Sequence, residues 1–198
     1  MADLVLGQVL CFDGNPFPDG PSAARHITHG GVLIDQGRIL AVGDGAGLRS
    51  RHPMAKITDY GAALISAGFI DAHVHYPQTA IIASWGKRLI DWLNTYTFPE
   101  EMRFSDLAYA EEVANHYLDL ALAHGTTSMC SYGTIHPESV DAFFTAAQNR
   151  GLRAYTGKTC MDRNAPEALR DTPQSAYDDS KALLEKWHGV DRLSYVIT

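Results

Sequence analysis

From Leu64 to Thr198 the sequence alternates apolar, strand-like segments with amphipathic ones, and this alternation constrains the fold more than any other feature. Leu64–Tyr76 reads as a strand, followed by an aromatic-rich stretch from Trp85 to Phe98. A helix is then expected with Ser105 as its cap, because Leu107, Ala110, Val113, Ala114, Tyr117 and Leu118 recur near a 3.6-residue period. His124-Gly125 closes it. Thr126–Tyr132, Leu152–Cys160 and Leu193–Thr198 read as further strands. Between them lie helices over Pro137–Asn149 and from Thr172-Pro173 to His188-Gly189, with Thr172 as N-cap and Pro173 in the first turn. Strands that alternate with helices build parallel βα units. A complete (β/α)₈ barrel takes about 250 residues. The expected fold class is therefore α/β, either an open sheet or the first half of a (β/α)₈ TIM-like barrel over residues 64–198, truncated inside its fourth strand.

Residues 1–63 follow a different rule. Leu4–Phe12 is a strand candidate that stops at the breaker cluster Asp13-Gly14-Asn15-Pro16. Gly31–Asp35 and Arg38–Val42 flank Gln36-Gly37, where Gly37 can take the positive φ of a tight hairpin. The expectation is a small N-terminal β-sandwich segment preceding the barrel half.

Charge and cysteine usage narrow the functional classes. The net charge is −7 and no basic run occurs, which argues against a nucleic-acid groove and for a small-molecule substrate. Cys11, Cys130 and Cys160 are far apart and form no CxxC pair, as expected of a reduced chain without a disulfide framework. Neither a signal-peptide pattern nor an apolar run of about 20 residues is present, so the expectation is a cytoplasmic protein without membrane contact. A homodimer is compatible with the open edges of a half barrel.

The chemistry concentrates in Gly68–Gln78. Residues two apart on a strand project to the same face, so His73 and His75 point together while Val74 points away. Two converging imidazoles make half a site for Zn²⁺ or a similar divalent ion. Tyr76-Pro77 ends the strand at once, which puts both histidines at its C-terminal end, where parallel barrels keep their active sites.

Gly68-Phe69-Ile70-Asp71-Ala72-His73-Val74-His75 resembles the first-strand signature of the amidohydrolase superfamily. Gly31–Gly43 is similar to that superfamily's N-terminal β-sandwich, although Ala67 stands where proline is usual, which alters a turn and leaves the ligands untouched. Within the superfamily, His75–Gln78, Asp91–Pro99, Gly125-Thr126-Thr127 and Gly157–Asn164 resemble the guanine deaminases. The resemblance implies hydrolysis of guanine to xanthine and ammonia, with His73 and His75 as ligands of one Zn²⁺. It also implies that Gln78 and the Tyr76-Pro77 backbone, next to His75, touch the purine. The family's other metal ligands, its proton-shuttling Glu and an Arg-Phe pair for the purine are expected beyond Thr198, so residues 1–198 are expected to be inactive alone. The competing readings are an amidohydrolase for another purine, a triazine or a cyclic amide, and a non-catalytic truncated product. The PCxxC motif that accompanies HxE in the other zinc nucleobase deaminases is absent.

Other residues read as structural. Trp92 is expected to pack, while Trp85, Tyr96 and Phe98 suit either packing or a pocket wall. His136 reads as a loop residue at a helix N-terminus. His124 and His188 precede glycine at helix ends, where a cation suits the dipole.

Overall fold

A computed structural model describes all residues, Met1–Thr198, as two compact units, Met1–Ala67 and Gly68–Thr198. The first holds β1 (Asp3–Phe12), the short α1 (Pro16–Asp19), β2 (Ala24–Asp35), β3 (Arg38–Asp44), α2 (Gly45–Arg51) and β4 (Lys56–Ser66). Its strands form one mixed sheet in the order β3-β2-β1-β4, with β1 antiparallel to β2 and parallel to β4. Gln36 and Gly37 both take positive φ, 48° and 72°, the backbone that a two-residue hairpin between right-twisted strands requires. Asp44 caps α2 by accepting from the Gly47 amide at 2.7 Å. Leu48 of that helix then meets Leu4 and Leu33 in a small core.

The second unit runs β5 (Phe69–His75), a 3₁₀ turn (Tyr76–Ile81), α3 (Leu89–Trp92), a π turn (Leu93–Thr97), α4 (Phe98–Met102) and α5 (Leu107–Ala123). It continues with β6 (Thr126–Tyr132), α6 (Pro137–Asn149), β7 (Arg153–Gly157), α7 (Pro173–Trp187) and β8 (Leu193–Tyr195). All four strands are parallel and lie in chain order, β5-β6-β7-β8, each joined to the next through helix. This is the topology of the first half of a (β/α)₈ barrel. Tyr76, Phe104, Leu118, Met129, Phe143 and Phe144 make the centre of the core. Tyr76 stacks on Phe143 at 4.9 Å, and its hydroxyl donates to the Ser139 carbonyl at 2.5 Å, so the one polar atom of this ring is satisfied inside the core. No helix is long and apolar enough to cross a membrane.

Several boundaries differ from the sequence expectation; β7 ends at Gly157, not Cys160, and β8 at Tyr195, not Thr198. The strand expected over Leu64–Tyr76 is split, because β4 pairs with β1 up to Ser66 whereas β5 pairs with β6 from Phe69. Ala67-Gly68 is the change of partner. Gly68 is needed there, since a Cβ would lie 2.1 Å from the Thr127 hydroxyl oxygen. The cap of α5 is Asp106, not Ser105. The Asp106 backbone is extended and its carboxylate accepts from the Ala108 amide at 2.9 Å, while the Ser105 hydroxyl turns back to the Met102 carbonyl. A carboxylate also complements the positive end of the helix, which a hydroxyl does less well. At α7, Thr172 and Ser175 form a reciprocal capping box with Pro173 in the first turn.

Candidate active site

The site is built on the C-terminal ends of the parallel strands. His73 and His75 lie on β5 with ring centroids 5.3 Å apart, and Val74 packs the other way against the core. A register slip between Asp71 and Val74 in the β5–β6 pairing marks a local irregularity where His73 sits. Such irregularities re-aim side chains next to functional sites. The His73 amide donates to the Asp71 carboxylate at 3.2 Å, which fixes the backbone at the slip. His75 is the last residue of β5 and is half-buried. Burial, and then the neighbouring His73, hold its pKa below the usual imidazole value, so it is neutral and able to donate a lone pair at neutral pH.

Tyr132 completes this corner. It ends β6 as His75 ends β5, the two are register partners, and their rings stack at 4.5 Å with 7° between planes. His73 meets the same phenol ring at 5.2 Å. Tyr132 was not singled out from the sequence, although its position at the end of the next βα strand was a usable signal.

The remaining predicted residues divide by what their side chains do. The Tyr76 side chain belongs to the core, and its amide donates to the Ser131 hydroxyl at 3.2 Å, so only its backbone faces the strand ends. Pro77 is buried behind it. Gln78 donates its amide to the Glu101 carboxylate at 3.2 Å. Glu101 is only 7% exposed, and sequence reasoning missed it because it approaches Gln78 from α4. Burial raises its pKa, and the Gln78 bond offsets part of that.

That balance yields a pH prediction. Because the folded-state pKa of Glu101 stands above its unfolded value, its contribution to stability is full at acid pH and is lost as the pH rises through the folded value. Glu101→Gln is therefore expected to raise the thermal midpoint at neutral pH and to add little at about pH 4. Equal gains at both pH values, read by circular dichroism melts, would contradict the account.

His136 is the N-cap residue of α6 but makes no side-chain cap bond, and its Nε2 is buried without a partner. Trp92 donates its indole N–H to the Ser84 hydroxyl at 2.9 Å, and Phe98 packs with Ile135 and Leu169. Trp85 is 71% exposed and borders a small open pocket with Lys87, Asp91 and Tyr96. No group of three or more His, Cys, Asp or Glu side chains converges to hold a metal. The donor set that exists is two imidazoles, which fits two of the protein ligands that catalytic zinc takes.

Comparison with known proteins finds relatives along most of the chain. The Amidohydrolase family matches residues 64–192, and an imidazolonepropionase-like composite domain of bacteria matches residues 30–53. Guanine deaminase of Escherichia coli K12 is 44% identical over 178 residues, covering 89% of this chain and 40% of the relative. A probable guanine deaminase of Deinococcus radiodurans is 37% identical, covering 90% of this chain and 42% of the relative. Among solved structures, guanine deaminase from Bradyrhizobium japonicum superposes on 100% of this chain and 43% of its own, with a TM-score of 0.95 and 34% identity. The chain thus spans less than half the length of these relatives. With the family match running unbroken from β5 through α7, the chain belongs to the amidohydrolase family.

Proposed function

We propose that this chain forms the first half of a guanine-deaminating barrel, in which His73 and His75 hold a Zn²⁺ ion and Gln78 meets the purine. The observation that carries the reading is the paired imidazoles at the end of β5, in a chain 44% identical to a guanine deaminase over 89% of its length. A divalent ion in such a site supplies hydroxide near neutral pH for attack on an amino-bearing ring carbon. The residues of this chain do the positioning. Tyr132 stacks on His75 and holds its ring plane, while the neutral state of His75 keeps its lone pair free for the ion. Gln78, oriented by Glu101, offers a carboxamide whose donor and acceptor match the mixed edge of guanine, and the Tyr76-Pro77 backbone closes the same side. The free thiols of Cys11, Cys130 and Cys160 support a reduced, cytoplasmic setting.

The test is a chimera in which residues 1–198 replace the matching segment of the Escherichia coli relative. It is expected to form xanthine from guanine, and His73→Ala or His75→Ala is expected to remove both bound metal and activity. A folded, metal-loaded chimera that leaves guanine untouched would end the proposal. A second reading has one support: a 5-methylthioadenosine/S-adenosylhomocysteine deaminase of Syntrophus aciditrophicus is 30% identical over 198 residues. The same chimera decides by its preference for the nucleoside substrates of that relative over guanine. In the chimera Gln78→Ala should lower kcat/KM for guanine by about tenfold or more while metal content is unchanged. Unaltered kinetics would remove Gln78 from the site.

A further inference from the structure

We infer that the buried Lys158–Asp171 ion pair is a positioning element that sets the loops beyond β6, β7 and β8 on the face carrying His73 and His75; this rests on reading that face as the active site. Lys158 directly follows the last residue of β7, and Asp171 directly precedes the N-cap of α7. Their side chains are 0% and 7% exposed, and Nζ lies 2.8 Å from the carboxylate. The ammonium also donates to the Thr159 carbonyl at 3.3 Å.

Stability alone is a poor reason for such a pair. Removing both charges from water is costly, and apolar residues of similar volume commonly replace a buried pair at no loss. What apolar residues cannot supply is direction. The pair pins the two ends of the 158–172 loop together, and the Asp171 amide adds a bond to the Met161 carbonyl at 2.7 Å. From the Lys158 end the connections spread to both neighbouring strands. The Lys158 amide meets the Tyr195 hydroxyl at 3.3 Å, and the Thr198 hydroxyl donates to the Lys158 carbonyl, which ties down the end of β8. Thr159 donates its amide to Thr134 at 3.0 Å and its hydroxyl to Gly133 at 2.8 Å, which ties down the loop after β6. That loop ends in His136, whose unpartnered Nε2 is buried and whose ring feels the charges of Glu138, Lys158 and Asp171. The ion pair and the backbone of Lys158 and Thr159 beside it thus tie together the exits of three successive strands.

The experiment uses Lys158→Met, Asp171→Asn and the apolar double variant Lys158→Met/Asp171→Leu in the 198-residue chain. Each single variant leaves one charge buried and is expected to melt earlier. The double variant is expected to regain the thermal midpoint of the parent, yet its amides over residues 159–171 and 133–136 should exchange hydrogen about tenfold faster or more. His136 gives a spectroscopic signature that general loosening would not: its titration, followed by NMR, should move up in Lys158→Met and down in Asp171→Asn. In the chimera the double variant should lose kcat for guanine with metal content intact. A double variant with the parent's exchange rates overturns the positioning role, even if the single variants do not fold. A parent chimera without guanine turnover overturns the functional reading instead, and the exchange result still decides the role of the pair.

Discussion

Purified alone and supplied with Zn²⁺ and guanine, residues 1–198 are expected to release no xanthine above background. Catalytic zinc takes about three protein ligands plus water, and this chain brings together two imidazoles, with no third acidic or sulfur donor beside them. An ion so held binds weakly and activates water poorly. Positioned acid–base groups contribute on the order of a hundredfold or more, and the Asp71 carboxylate near the histidine pair is engaged by the His73 amide at 3.2 Å. The sheet adds a second difficulty. β5 and β8 are both edges, and β5 carries Phe69 and Ile70 at 65% and 76% exposure, an apolar edge open to pairing with another chain. Size-exclusion chromatography of the 198-residue protein should accordingly show self-association, alongside the absence of xanthine in a coupled absorbance assay. Turnover by a monomeric preparation would falsify the two-ligand argument, whereas the chimera should recover activity because it restores both edges and the missing donors.

Gly157→Ala is expected to be the most damaging single methyl group in the second unit. A Cβ there would stand 1.9 Å from the Val196 carbonyl oxygen and 3.1 Å from the Thr198 methyl carbon. The obstacle is backbone, so no rotamer change relieves it. β7 and β8 would have to part, with loss of the Val196 amide bond to the Thr156 carbonyl at 3.0 Å. A cost of about 3 kcal/mol or more follows from overpacking of this kind. Gly151→Ala is the matched comparison: its φ is 64° but no atom lies within 4 Å of the added carbon. There the strain of a left-handed backbone alone applies, about 1–2 kcal/mol. Urea unfolding of the two variants should separate them in that order, and a Gly157→Ala protein as stable as Gly151→Ala would show that β7 and β8 are not held so closely.

Much of the architecture is legible in the sequence because it is encoded by local periodicity. The period of 3.6 marked α5 through Leu107, Ala110, Val113 and Ala114. Glycines at Gly125, Gly151 and Gly189 ended α5, α6 and α7 in positive φ, as their positions after apolar runs implied. The period of two put His73 and His75 on one face and Val74 on the other, and Thr172-Pro173 announced the start of α7. Each of these inferences concerns residues a few positions apart, where backbone geometry leaves few options.

Contacts between distant residues were illegible for the complementary reason. That Tyr132 stacks on His75 depends on the register of two parallel strands, which a slip between Asp71 and Val74 has shifted. Glu101 reaches Gln78 from α4, 23 residues along the chain and beyond a π turn over Leu93–Thr97. Lys158 and Asp171 are an unremarkable pair of charges in the sequence, and only the closure of the 158–172 loop buries them against each other. The sequence by itself determined the alternation of strand and helix from β5 to β8 and the shared face of His73 and His75. The tertiary structure decided which partners surround that pair, because register and loop closure depend on packing across the whole unit and leave no local trace.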